Sequence, residues 1–120
     1  MATPYHASIA AAALASQDFR RVLWTGTKTQ LVAMTIPPGD EIGLETHPDT
    51  DQILVFVSGT GECDLAGQTA PIAAGDLVVV PAGTEHNFRN TGETPLVLYT
   101  VYGPPEHPAG TVHATRPDED

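Results

Sequence analysis

The feature that most constrains this chain is a series of short apolar runs between Phe19 and Tyr102, each closed by glycine, proline or asparagine. The runs are shorter than the roughly 10–12 residues that a helix in a globular protein needs, and many contain β-branched residues. Short strands separated by turn residues are typical of antiparallel sandwiches and barrels. The sequence therefore predicts an all-β domain. It lacks the strand–helix–strand alternation that would indicate a parallel sheet.

The positions of the runs give a provisional map of the chain. We expect strands at residues 19–24, 30–36, 41–47, 52–57, 62–66, 69–72, 76–80, 86–90 and 96–102. One short helix should precede them, because the alanine-rich run from Ser8 to Ser16 has high helix propensity. The map divides the chain into an N-terminal arm with the helix (1–17), the β domain (18–103), and a proline-rich segment with an acidic tail (104–120).

Composition excludes several classes of partner. The 120 residues are enough for one domain with its own core, and they carry a formal net charge of −10 with only five lysines and arginines. Nucleic acids and anionic membranes are therefore not expected partners. The single cysteine, Cys63, cannot form an internal disulfide, which favours a reducing compartment. With no basic leader and no apolar run near ~18 residues, we expect a cytoplasmic protein.

Four polar residues at strand ends form a candidate metal site. Glu45 and His47 are two positions apart on the expected third strand, so their side chains share a face. Gln52 follows a tight turn, and His86 follows a turn of its own. Taken alone, each is better explained as a solvent-facing residue. Together they offer a carboxylate, two imidazoles and an amide oxygen, a set suited to Fe(II) and similar divalent ions.

Two longer stretches carry a family resemblance. The paired motifs of the cupin superfamily are Gly-x5-His-x-His-x3–4-Glu-x6-Gly and Gly-x5-Pro-x-Gly-x2-His-x3-Asn. The corresponding positions of the first motif are Gly39, Glu45, His47, Gln52 and Gly59, and those of the second are Gly75, Pro81, Gly83, His86 and Asn90. The second motif matches at every position. The chain thus resembles a small, single-domain bacterial cupin, and its size and its closing Pro-Pro-Glu-His stretch are similar to cupins called mannose-6-phosphate-isomerase-like.

The resemblance implies a cupin jelly-roll barrel, one divalent metal ion near one mouth (Fe, Mn, Ni, Co or Zn), and a homodimer. It also implies that Glu45, His47, Gln52 and His86 are the metal ligands. Two of them depart from the motif, since Glu45 stands where a histidine is usual and Gln52 where a glutamate is usual. The two changes offset each other in charge, which favours a retained site with altered geometry. In having glutamine at this ligand position, the chain resembles small cupins that act on unsaturated uronic-acid sugars.

Three functions remain open on these grounds. The first is a non-redox isomerase or lyase, in which a metal ion activates a small oxygen-rich substrate and the base is Glu45 or His107. The second is an Fe(II) dioxygenase with iron held by Glu45, His47 and His86. The third is a module that binds a small ligand without turnover. Few cations remain to hold an anionic substrate, so phosphosugars are disfavoured.

The segment after the last expected strand has two interpretations. Glu106 and His107 can fold across the barrel mouth as a lid that carries an acid/base pair. Alternatively, the segment is a proline-braced surface tail that packs on the barrel or on a dimer partner. Tyr99 and Tyr102 are the candidates for a hydroxyl in the pocket, because they lie on the last strand, where parity does not decide which of them faces inward.

Overall fold

The structure, a computed structural model that describes residues 2–117, contains one short helix and nine strands within that range. Their bounds are α1 Ile9–Ala15, β1 Arg20–Thr25, β2 Gln30–Ile36, β3 Asp51–Ser58, β4 Thr60–Leu65, β5 Gln68–Ala73, β6 Leu77–Val80, β7 His86–Arg89, β8 Leu96–Gly103 and β9 Val112–His113. The expected short helix and the expected all-β architecture are both present. Eight of these strands overlap a strand predicted from the sequence.

The strands form two antiparallel sheets that enclose the core. The larger sheet has the order β6-β3-β8-β2-β1-β9, and the smaller has the order β5-β4-β7. Buried side chains from both sheets pack together, including Met34 and Phe56 from the larger sheet and Phe88 from the smaller. This two-sheet arrangement is the jelly roll that the sequence predicts.

The side chains of β2 point alternately to the inner and outer faces of the larger sheet. Gln30, Val32, Met34 and Ile36 are all completely buried and point into the space between the sheets. Ala33 points outward, yet it is also buried because α1 covers it through Ala13. The helix therefore packs on the outer face of the larger sheet and leaves the mouth of the jelly roll to other segments.

The expected strand at residues 41–47 is wrong. This stretch makes only two isolated bridges, Glu41 with Arg89 and Glu45 with His86. Gly43 separates them with a φ of 111°, and its N–H donates to the Asn87 side chain instead of a strand neighbour. A glycine in this conformation interrupts the regular ladder. The segment is consequently a loop attached to β7 at two points.

The C-terminal segment, for which the sequence predicts no strand, contains one. Val112 and His113 form β9, which pairs with Arg21 and Arg20 at the edge of the larger sheet. Of the expected acidic tail, residues 118–120 lie outside the described residues, as does Met1 of the N-terminal arm. The division of the chain at residues 17/18 and 103/104 stays a prediction. Within residues 2–117, no helix is long and apolar enough to cross a membrane.

Asn90, the last residue of the second motif, provides a test of the fold. Its buried side-chain amide donates to the carbonyl oxygens of Ile36 and Thr94 and accepts from the Gly92 N–H, at 2.8, 2.9 and 2.9 Å. Asn90→Ala leaves these three backbone groups without their partner. We expect the free energy of unfolding to fall by about 2–4 kcal/mol in chemical denaturation.

Asn87→Ala is the matched control, because Asn87 is also buried and its side-chain oxygen accepts from Gly43 N–H. Removing that contact should cost about 1 kcal/mol. If Asn90→Ala is no more destabilising than Asn87→Ala, the three hydrogen bonds of the Asn90 amide do not stabilise the fold as predicted.

Candidate metal centre

Backbone pairing between the loop at Glu45 and the start of β7 brings the first two site residues together. The Glu45 N–H donates to the His86 carbonyl and the His86 N–H donates to the Glu45 carbonyl, at 3.0 and 2.9 Å. Such a reciprocal pair sets two residues directly opposite each other. Glu45 therefore reaches the site by pairing with the first residue of β7, and the parity of a regular strand plays no part.

The third residue is held by the turn that precedes β7. The Gly83 N–H donates to the His47 carbonyl at 2.8 Å, and Gly83 has a φ of 85°, a conformation that suits glycine. The Pro81–Gly83 turn of the second motif thus fixes the backbone of the first motif. His47 is 8% exposed and His86 is 1% exposed, so both imidazoles are largely shielded from water.

Glu45, His47 and His86 converge as one cluster. They each offer a ligand atom, and these atoms all lie within 4.8 Å of one another. Glu45 Oε1 is 3.2 Å from His47 Nε2 and 3.5 Å from His86 Nε2. The three residues form a group that can hold a metal ion, which is the core of the site predicted from the sequence.

The charges in the cluster support one another. Burial opposes ionisation of Glu45, but the hydrogen bond with His47, the close approach of His86 and the positive charge of the two rings when they are protonated outweigh it and lower the pKa of Glu45 to about 2. The hydrogen bond to Glu45 raises the pKa of His47, and burial opposes this increase. A carboxylate that stays ionised is the protonation state that metal binding requires.

Hydrogen bonds at the far side of each ring test whether the residues fit a metal. His86 Nδ1 donates to the Thr84 carbonyl at 2.8 Å. That contact leaves the lone pair on Nε2, which is buried and has no hydrogen-bond partner among the described residues. His47 Nδ1 lies 2.9 Å from Glu106 Oε1, so Nε2 is likewise the atom turned towards Glu45. Rings held from behind in this way are typical of metal-ligating histidines. The residues fit a divalent cation.

Gln52, the fourth expected ligand, lies at the start of β3 and is 1% exposed. Its Nε2 donates to Thr100 Oγ1 at 3.0 Å, and Thr100 Oγ1 donates to the Ile53 carbonyl at 2.9 Å. These two hydrogen bonds fix the orientation of the amide, so Gln52 Oε1 is a buried acceptor with no partner among the described residues. The free oxygen suits a weak neutral ligand, and that role stays a prediction.

The segment after β8 does reach the site. Glu106 contacts His47, whereas the His107 ring packs edge-on against Tyr102 with the centroids 5.2 Å apart. Tyr102 in turn contacts His47, with the centroids 5.8 Å apart, and is 1% exposed. Of the two candidate tyrosines, Tyr102 is therefore the one that faces inward. The structure places the acid of the expected Glu106/His107 pair, and not the imidazole, against a candidate ligand.

Two residues of the site were missed from sequence. Gln30 hydrogen-bonds the backbone of Glu106 and His107 in the segment after β8, and Thr100 orients Gln52. The sequence does contain a signal for Gln30. It lies an even number of positions from the buried apolar residues of β2, so its side chain is expected to point inward. The contact between His47 and Glu106 spans 59 positions in sequence and had no local signal.

Comparison with known proteins identifies the family. Residues 32–102 match the Cupin domain family, which is more than half of the chain. The chain is a cupin. It is 42% identical over 121 residues to the uncharacterized protein YrkC of Bacillus subtilis, covering 96% of this chain and 65% of YrkC. The cupin chain thus spans slightly less than two thirds of that relative.

Two further comparisons place the cupin among solved and named proteins. The crystal structure of BH2720 from Bacillus halodurans has a TM-score of 0.93 and 40% identity, covering 95% of this chain and 91% of that one. The quercetin 2,3-dioxygenase of Bacillus subtilis is 33% identical over 84 residues, which are 69% of this chain and 25% of that enzyme. The cupin's relatives therefore include at least one oxygen-dependent enzyme by name.

His107 gives the cupin a predicted pH dependence. Burial, followed by the positive charge of Arg20, lowers the pKa of His107 from 6.5 to about 4. The other charged groups that act on it are Glu45, His47 and His113. Between pH 6.5 and 4 the unfolded chain binds more protons at this residue, so stability should fall as pH falls through that window. His107→Phe, which keeps a ring against Tyr102, should show a shallower decline in denaturation series.

His6→Phe serves as the control, because His6 is exposed on the N-terminal arm. Its unfolding free energy should follow the pH profile of the unmodified protein. Parallel profiles for His107→Phe and the unmodified protein would contradict the assignment of this pH dependence to His107.

Proposed function

We propose that the protein is a metal-dependent cupin enzyme that binds one divalent ion and acts on a small oxygen-rich substrate in a reaction of the isomerase or lyase type. The observation that carries the proposal is the convergence of donor atoms from Glu45, His47 and His86 within 4.8 Å at a largely buried position. Fe, Mn, Ni, Co and Zn are all compatible with this mixed nitrogen and oxygen donor set.

The protein's own residues divide the work between charge and orientation. Glu45 supplies the negative charge, and His47 and His86 supply neutral nitrogen donors held from behind by hydrogen bonds. A divalent ion bound there supplies Lewis acidity that polarises a carbonyl or hydroxyl oxygen of the substrate. Glu45, His47 and His86 would hold the ion, with Gln52 as a weak fourth ligand, and such a set would allow the substrate to bind the ion as well.

The walls of the site favour a substrate that is shielded from water and carries little negative charge. Tyr102 and Phe88 contact the histidine rings and are 1% and 0% exposed, so they exclude water beside the ligands. Water exclusion strengthens electrostatic interactions with a bound substrate. The net charge of −10 disfavours substrates that carry several negative charges.

Of the two candidate bases, His107 is supported better than Glu45. A carboxylate with a pKa of about 2 is a weak base near neutral pH, which suits Glu45 to the role of ligand. His107, with a pKa of about 4, is the stronger base of the two although it is also weak near neutral pH, and its Nε2 is buried without a hydrogen-bond partner among the described residues. The proposal accordingly assigns proton transfer to His107 and charge to Glu45.

An Fe(II) dioxygenase is the second candidate. Two histidines and one carboxylate are the set used by many non-haem iron oxygenases. The similarity to a quercetin 2,3-dioxygenase supports this reading, although it covers only 25% of that enzyme. A third candidate is ligand binding without turnover, since a cupin fold alone does not fix an activity.

The proposal also includes a homodimer located in the cytoplasm. Ile53, Leu77 and Val79 are exposed on adjacent strands β3 and β6 of the larger sheet, with Ile53 paired to Val79 and Val55 to Leu77. Exposed apolar rows of this kind favour burial against a partner. β6 is in addition an edge strand, which increases the tendency to associate.

Metal content provides the direct test. Elemental analysis of the purified protein should find about one divalent ion per chain, and Glu45→Gln should lower the metal affinity by at least about 100-fold because it removes the only carboxylate of the cluster. Glu93→Gln is the matched control, since Glu93 is exposed. Equal metal content in Glu45→Gln and the unmodified protein would contradict the site.

Oxygen dependence separates the candidate reactions. We expect the metal-loaded protein to convert a member of a panel of small hydroxy acids, keto acids and sugars under strict anaerobiosis. Product formed without O₂ excludes the dioxygenase, while conversion that stops on removing O₂ excludes the isomerase or lyase. Binding of a panel member with no conversion under either condition would favour the third candidate.

A further inference from the structure

The segment that covers the site, residues 104–107, has its backbone anchored by the buried side chain of Gln30. Gln30 Oε1 accepts from the Glu106 and His107 N–H groups at 3.2 and 3.0 Å, and Gln30 Nε2 donates to the His107 carbonyl at 2.7 Å. Gln30 Nε2 also donates to Thr25 Oγ1 at 2.9 Å. The backbone N–H groups can only donate, so they determine which end of the amide is the oxygen.

These contacts use the whole amide of Gln30, which is completely buried on β2. Two accepted and two donated hydrogen bonds leave the side chain no alternative arrangement that satisfies its polar atoms. An amide buried without them would cost about 1–3 kcal/mol for each unsatisfied group. Gln30 thereby holds the covering segment in one register over the jelly roll.

That register places Glu106 against the candidate metal centre. Glu106 Oε1 is 2.9 Å from His47 Nδ1, on the side of the ring opposite Glu45. Glu106 is not a member of the cluster whose donor atoms converge. Its carboxylate accepts the Nδ1 proton and so fixes both the orientation of the His47 ring and the nitrogen that faces the cluster.

We propose that Glu106 is a positioning residue for His47, delivered by Gln30 through the covering segment, so that metal binding and closure of this segment are coupled. The inference rests on the proposed metal site and deepens it. Coupling is reciprocal: if closure raises the affinity for the metal, the metal must stabilise the closed segment by the same factor. The site then binds its ion tightly only in the covered state.

Titration of the metal-free protein with Co²⁺ measures this coupling. Glu106→Ala should bind Co²⁺ about 10–100-fold more weakly, the usual effect of removing the group behind a ligating histidine. Glu106→Gln should lose less, because its amide oxygen still accepts from His47 Nδ1. Glu93→Ala removes one exposed carboxylate from the loop between β7 and β8 and should bind Co²⁺ as the unmodified protein does.

Gln30→Ala tests how Glu106 is delivered. It leaves the Glu106 carboxylate in the chain but removes the contacts that hold the segment, so it should also weaken Co²⁺ binding. Because both changes act on one contact, the double variant should bind no more weakly than Glu106→Ala alone. Fully additive losses would overturn the delivery by Gln30.

Hydrogen exchange supplies a readout that a merely structural role would not move. The Glu106 and His107 amides, which donate to Gln30, should exchange more slowly when Co²⁺ is added to the unmodified protein. In Glu106→Ala the ion should no longer slow them. Metal-independent exchange in the unmodified protein would overturn the coupling.

The outcomes also separate this inference from the metal site itself. If neither the unmodified protein nor Glu93→Ala binds Co²⁺, the metal site fails and the inference fails with it. If both bind and Glu45→Gln does not, but Glu106→Ala binds normally, only the positioning role is wrong. Should Glu106→Ala fail to fold in the metal-free state, the Co²⁺ affinities of Glu106→Gln and Gln30→Ala are compared with that of the unmodified protein instead.

Discussion

The reciprocal hydrogen bonds between the backbones of Glu45 and His86 are the contact on which the site depends. They join a loop without regular structure to the first residue of β7, across more than a third of the chain. Since the two residues stand directly opposite each other, their side chains meet with no help from a continuous strand. The turn at Gly83 adds a third backbone contact, to His47, and completes the frame.

Within that frame, the electrostatics explain why three polar side chains lie together in a nearly dry site. A buried carboxylate next to two imidazoles is stable only if charge and hydrogen bonding offset the loss of hydration. Glu45 meets this requirement through contacts to both rings, and each ring is satisfied behind by Thr84 or Glu106. The apolar residues of β7 and β8 then keep water away from the cluster. The same features that make the cluster costly to bury without partners make it suitable for a cation.

The sequence predicted the all-β architecture and the converging residues well, and it did so for different reasons. The strands followed from short apolar runs bounded by turn residues, which is local information, whereas the convergence of Glu45, His47 and His86 was suggested by their residue types and spacing and made specific by the resemblance to the cupin motifs. The strand expected at residues 41–47 failed because Gly43 adopts a positive φ, and the pattern of polar and apolar residues does not report backbone conformation. β9 was missed because two residues carry too little pattern to be recognised.

The covering segment shows most clearly what sequence reasoning lacks. Its proline content indicated an irregular path, and both a lid and a surface tail were consistent with that composition. The decision between them depends on Gln30, which is 76 positions away from Glu106. A buried glutamine on an otherwise apolar strand face requires partners, and only the fold can say that backbone groups of residues 106 and 107 are those partners.

The carboxylates around His47 come from two distant parts of the sequence. The carboxylate has moved across the ligand set, and a second carboxylate, Glu106, stands behind the histidine next to it. Glu106 Oε1 and Glu45 Oε1 lie 2.9 and 3.2 Å from the two ring nitrogens of His47, so the orientation of this imidazole depends on the C-terminal segment as well as on the first motif.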